Sequence, residues 1–165
     1  MSKEKLVSGF LVSKTDTKGR ITYCNRAFID ISGFLESELL GKPHNIVRHT
    51  DMPRTIFAYL WREISSKREV NVYVKNLAKD GGYYWVFANV TPSLDIFGNT
   101  VGYYSVRRKP RKEGLDAAAK LYQKIKEAES NGGIESGLKF FHKYFEDLGE
   151  SYENFILRLQ VGGKQ

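Results

Sequence analysis

Residues 69–94 read EVNVYVKNLAKDGGYYWVFANVTPSL, and the reading of this stretch decides the fold. On either side of DGG lie β-rich runs of valines and aromatics, and the aspartate and glycines between them suit a tight turn. Period-2 alternation sets Val70, Val72, Val74 and Asn76 on one side of the first run, and Trp85, Phe87 and Asn89 on one side of the second. Taken strand by strand, each of these candidate inner faces ends in an amide. A further turn, DIFGN, leads to TVGYYSVRRK, so a meander of three antiparallel strands is the economical arrangement.

Upstream, FLVSK and RITYC form a hairpin around TDTKG, where Gly19 can adopt the positive φ that a tight turn needs. Asn25 can cap a short helix carrying Phe28, Ile29, Ile31 and Phe34, and SELLG makes another short turn. From Pro53 to Lys67 the spacing of Ile56, Phe57, Leu60, Trp61 and Ile64 predicts a longer amphipathic helix. Strands at both ends with helices between them define an α+β domain over residues 10–110, preceded by a segment at 1–9. Beyond it, residues 111–165 read as a helical extension broken at NGG. It carries one stripe at Leu121, Ile125 and Ala128 and another at Leu138, Phe141, Tyr144, Phe145 and Leu148.

With 41% hydrophobic residues, 165 residues suffice for a real core, and a formal charge of +7 permits anionic partners without choosing among them. The single cysteine, Cys24, excludes an intramolecular disulfide, and no apolar h-region follows MSKEK. No apolar run reaches the ~18–20 residues of a spanning helix, so a cytoplasmic protein is expected, with any membrane association made through a partner.

The segment HNIVRHTDMP, residues 44–53, is dense in polar chemistry. Arg48 suits paired bonds to phosphate or carboxylate, and a helix beginning near Asp51 to Pro53 would present free N–H groups to an anion. The alternative is an Arg48–Asp51 clamp with Asp51 as an ordinary cap. His44 and His49 lack a thiolate pair to complete a zinc set, so a metal site is disfavoured. Phe57, Trp61 and Trp85 suit either ring stacking or the core, with Trp61 the first choice for stacking. Asn76 and Asn89 are either amides satisfied by backbone or directional contacts to a ligand. VRRKPRK, residues 106–112, reads as a solvated basic face; nucleic acid is disfavoured because the aromatics do not interleave with it.

FLVSKTDTKGRITYCNRAFIDISGF resembles the entry hairpin of PAS domains. GKPHNIVRHTDMPRTIFAYLW and KNLAKDGGYYWVFANVTP resemble the PAS sensor of Aer-type aerotaxis receptors. The resemblance implies a PAS fold, with short helices on one face of an antiparallel sheet, and non-covalently bound FAD as a redox reporter for energy taxis. It implies a cofactor set of Asn25, Arg48, His49, Asp51, Phe57, Trp61, Asn76, Trp85 and Asn89, with Asn25 equally a helix cap. Thr50 stands where such receptors commonly carry proline. Without a spanning helix, HAMP module or signalling coil, the chain is similar to the stand-alone PAS partner of a bipartite energy-taxis receptor. It would then act in trans on a membrane chemoreceptor-type protein with a HAMP and signalling domain, with a homodimer as a further option. The NIVRH segment lacks the cysteine of LOV photosensors, which disfavours a thiol adduct. The rivals are a cofactor-free PAS adaptor and a haem PAS sensor using His44 or His49. No acid–base constellation points to an enzyme.

Overall fold

The computed structural model describes residues 2–162. Strands β1 (Leu11–Thr15) and β2 (Ile21–Cys24) form the entry hairpin. Asp16 Oδ1 closes it by accepting from the Lys18 and Arg20 N–H groups, both at 2.9 Å, with Gly19 at φ 79°. Helix α1 (Arg26–Ser32) follows, then α2 (Glu36–Leu39), a 3₁₀ turn (His44–Val47) and α3 (Arg54–Ser65). The meander is β3 (Val70–Leu77), β4 (Tyr83–Leu94) and β5 (Thr100–Arg108), and the chain continues into α4 (Lys112–Leu148) and α5 (Tyr152–Val161).

All five strands join one antiparallel sheet in the order β2-β1-β5-β4-β3, so the first hairpin pairs with the last strand and β5 lies at the centre. The expected meander and hairpin are both present. The register corrects the expected faces. Asn76 lies opposite Tyr84 and Val74 opposite Val86, whereas Trp85 faces Lys75 and Asn89 faces Asn71. Directly opposed residues share a face, so Asn76 lies on one side of the sheet and Trp85 and Asn89 on the other. The side carrying Asn76 also carries Tyr84, Ser105, Arg107, Ser13 and Leu11, all of them buried. It is the inner face: Arg107 lies over the Phe28 ring of α1, and Phe28 in turn packs edge-on against His44.

Compactness divides the chain into two units, Met1–His49 with Glu63–Lys109 and Thr50–Arg62 with Pro110–Gln165. In the second unit an aromatic cluster forms the core. The Tyr59 ring of α3 lies 5.0 Å from Phe141 and 4.8 Å from Tyr152, and Phe145 lies 5.0 Å from Phe141 and 5.4 Å from Phe155. Two of the expected stripe residues, Phe141 and Phe145, are buried here, while Leu148 is exposed. The NGG breaker acts where it was expected, since Gly133 takes φ 69° and ψ −156° and interrupts α4. Gly137 lets α4 approach α3, because a Cβ there would come within 1.9 Å of Thr55 Oγ1.

Candidate functional site

The inner face of the sheet unit gathers polar side chains where a strand pattern normally buries apolar ones. β5 contributes Ser105 and Arg107, 7% and 5% exposed, because alternation sends Tyr103, Ser105 and Arg107 to the same side. A guanidinium placed there loses its hydration, and burial pushes its pKa down to about 10. Its influences are burial, the Tyr84 hydroxyl and the Cys24 thiol, with no carboxylate among them.

Three neighbours position Arg107. Nη1 donates to Ser13 Oγ at 3.0 Å, Nη2 lies 2.6 Å from His44 Nε2, and the guanidinium carbon sits 5.2 Å from the Phe28 ring centroid. Arginine has no acceptor, so His44 Nε2 must accept and the imidazole is neutral with its proton on Nδ1. Burial and the positive charges of Arg107 and Arg48 push His44 down to about 3, which agrees with that tautomer. Ser13 Oγ completes the triangle at 3.0 Å from His44 Nε2.

Around this triangle several groups stay unmet. Asn76 Nδ2, the Tyr84 hydroxyl and Ser105 Oγ are all buried without a hydrogen-bond partner. Asn76 lies close enough to Tyr84 to bias its ionisation, yet no hydrogen bond of good geometry joins them. Burial pushes the Tyr84 hydroxyl up to about 12 and the Cys24 thiol up to about 11, so both are neutral. Each unmet buried group costs ~1–3 kcal/mol, which a ligand offering matching acceptors and donors would recover. A face with a buried cation that no carboxylate acts on and three orphaned polar atoms fits a polar, electron-accepting heteroaromatic ring of the flavin type.

The HNIVRH segment reaches this site along the edge of β3. Arg48 pairs in the antiparallel sense with Asn76, and His49 N–H donates to Lys75 O at 3.3 Å. Parity therefore turns Arg48 toward the inner face and His49 toward the outer one, where its ring meets Tyr83 edge-on at 6.3 Å. Arg48 is half-buried and its pKa is lowered by burial. His49, Trp85 and Asn89 thus share the outer face with Lys75, whose Nζ lies 4.6 Å from the Tyr83 ring and 6.0 Å from the Trp85 ring. Asn89 Nδ2 donates to Asn71 Oδ1 at 3.0 Å in a cross-strand amide pair. The structure does not bring His49, Trp85 or Asn89 to the side that carries Asn76.

Asn25 is committed to backbone. Its Oδ1 accepts from Val12 and Phe28 N–H at 3.0 and 3.1 Å, and its Nδ2 donates to Phe10 O at 2.9 Å. It caps α1 and ties that helix to β1.

Asp51, Phe57 and Trp61 belong to the second unit. Helix α3 starts at Arg54, three residues after the exposed Asp51. Its N-terminus receives a carboxylate from α4: Glu129 Oε1 accepts from Thr55 N–H and Thr55 Oγ1, both at 2.7 Å. The anion expected at this helix end is supplied by the chain itself, as the helix dipole favours. Lys126, one turn earlier on α4, donates to Thr50 O at 2.8 Å. Trp61 is 36% exposed and Phe57 half-buried, so neither is a core residue.

Reading the sequence missed Arg107, Tyr84, Ser13 and Ser105, and weighed His44 only as a metal or haem ligand. The signal was available for Arg107, since alternation along TVGYYSVRR sets it with Ser105 and Tyr103, but its basic neighbours made it look like part of a solvated run. Among the described residues no cluster of histidine, cysteine, aspartate and glutamate suits a metal ion.

A five-stranded antiparallel sheet with short helices over one face and a polar interior is the arrangement of a PAS sensor module. The family model for the PAS fold matches residues 8–108, and the chain belongs to the PAS family. Within that family its PAS domain is of the Aer type: it is 38% identical to the aerotaxis receptor of Escherichia coli K12 over 128 residues, which cover 78% of this chain and 25% of the receptor. It is also 30% identical over 97 residues to the nitrogen fixation regulatory protein of Klebsiella pneumoniae, 59% of this chain and 20% of that protein. The chain spans a quarter or less of the length of these relatives. Among solved structures, the dark state of the blue-light photoreceptor Aureochrome1 LOV aligns with a TM-score of 0.60 at 22% identity, covering 70% of this chain and 86% of that one. The PAS domain of the fruit-fly ELK potassium channel aligns with a TM-score of 0.55 at 16% identity, covering 60% and 85%. These structural likenesses show the fold. No helix among the described residues is long and apolar enough to cross a membrane.

Proposed function

We propose that the chain is a flavin-binding PAS redox sensor for energy taxis, that its cofactor is FAD, and that it signals in trans to a membrane chemoreceptor-type protein with a HAMP and signalling domain. The observation that carries this reading is the inner face itself, where buried Arg107 has no carboxylate beside it and Asn76, Tyr84 and Ser105 await partners. Likeness to an aerotaxis receptor, and to LOV domains one of which is described with a flavin analogue, supports the same ligand class. When bound, FAD supplies a reversible gain of electrons that alters the charge and hydrogen-bonding pattern of its ring.

The chain's own residues then have distinct tasks. Asn76 Nδ2 offers an N–H to a ring acceptor, and the Tyr84 and Ser105 hydroxyls can turn as donor or acceptor. Arg107 holds a fixed positive charge over the inner sheet, and the half-buried Arg48 adds a second from the β3 edge. Because Asn76 is paired by backbone to Arg48, any re-aiming of its amide reaches the loop that continues into α3. A cytoplasmic site of action, at the membrane only through the receptor, belongs to this proposal, as does the absence of catalytic turnover.

Haem is less well served. His44 Nε2 already accepts from Arg107, and His49 lies on the outer face against Tyr83. The test is the visible spectrum of the purified chain, followed by heat release and chromatography of any chromophore. FAD released in equal amount to protein supports the reading. A Soret band moves it to haem, and a colourless chain that refuses added FAD makes it a PAS adaptor.

A further inference from the structure

We propose that His44 is a positioning residue for the cofactor site: it fixes the Arg107 guanidinium toward the inner sheet face, so that the site favours the more negatively charged, reduced form of its ligand. This inference rests on the flavin reading above and adds the residue pair that sets the bias between the two redox forms.

The geometry leaves Arg107 little freedom. Ser13 Oγ and His44 Nε2 hold its two terminal nitrogens at 3.0 and 2.6 Å, and Phe28 covers its face. Neutral acceptors orient the cation without cancelling it, and that distinguishes this site from an ordinary buried ion pair. A carboxylate in place of His44 would neutralise the charge that a ligand could otherwise use. A histidine serves because its second nitrogen can carry the proton while Nε2 stays an acceptor. The groups acting on His44 are cationic or neutral: Arg107 from β5, Arg48 from the β3 edge, Ser13 from β1 and the Phe28 ring from α1. A fixed cation in a low-dielectric interior interacts more strongly with a ligand that gains negative charge than with its neutral form. Arg107 therefore supplies the bias, and His44 sustains it.

The experiment measures dissociation constants of the full chain for oxidised and for reduced FAD, under anaerobic conditions for the latter, in the unaltered protein and in Arg107→Gln, His44→Ala and His44→Gln. The quantity read is the ratio of the two constants. We expect Arg107→Gln to lose about tenfold of the preference for reduced FAD, equivalent to a fall of ~30 mV in a two-electron midpoint. His44→Ala should lose most of the same preference, while His44→Gln, whose amide oxygen can accept from Nη2, should restore it. The isosteric variant also guards against a fold-level effect, since all four proteins can be compared by their unfolding midpoints. FAD uptake with an unchanged ratio in His44→Ala overturns this inference alone. Failure of the unaltered chain to take up FAD overturns the flavin reading, and this inference with it.

Discussion

The two compact units of this chain solve the same problem, a buried polar group, in opposite ways. In the helical unit the N–H end of α3 meets Glu129, which takes both the Thr55 amide and its hydroxyl, and the rest of the interior is apolar, with an aromatic cluster beside buried Leu121, Ile125 and Ile156. In the sheet unit a buried arginine has only neutral partners, and Asn76, Tyr84 and Ser105 are left unmet. An interior that satisfies itself is built for stability. One that leaves donors and a cation unmet on its own gives up stability for a ligand.

The largest effect of a single substitution is expected in the helical unit. Phe141→Ala removes a buried ring that packs on Tyr59, Phe145 and Tyr152, and should cost about 3–5 kcal/mol in urea unfolding. A cost under ~1 kcal/mol would show that this cluster is loosely packed. Glu129→Ala should cost about 1–3 kcal/mol, because the Thr55 amide and hydroxyl lose their acceptor inside the protein.

A third effect belongs to the sheet unit. His44 has a folded pKa well below its ordinary 6.5, so the unfolded chain binds the proton first as pH falls. Its contribution is therefore complete above 6.5 and is lost as pH drops toward about 3. Between pH 6.5 and about pH 5 the chain should lose roughly 2 kcal/mol more than His44→Gln does, read as the difference in unfolding free energy between the two. Parallel pH profiles would contradict a neutral His44 held as an acceptor by Arg107. The smallest effect is expected at the amide pair on the outer face. Asn89→Ala should cost only about 0.2–1 kcal/mol, as cross-strand pairs do.

Much of this fold was legible because its punctuation is local. TDTKG, DGG, DIFGN and NGG each break the chain where the sequence says they should, and Asn25 caps α1 from its own neighbourhood. The site was legible in part. Asn76 and Arg48 were found, and the structure pairs them directly. Trp85 and Asn89 lie on the side away from Asn76, which the sequence left open because a strand's alternation gives two faces but not which one looks inward; only the β3–β4 register settles that. The acceptor at the start of α3 comes from Glu129, 74 positions beyond Thr55, which no local window can show. Arg107 was hidden by its neighbours: Arg108 beside it is exposed, and the two differ only in strand parity.

The central claim is that the inner face, and not the outer, is the ligand site. The most direct measurement is the amount of FAD released per chain from Asn76→Ala and from Asn89→Ala, purified side by side and matched for unfolding midpoint. Asn76→Ala is expected to lose its flavin while Asn89→Ala retains it in full. Loss from Asn89→Ala with retention in Asn76→Ala would place the ligand on the other side of the sheet.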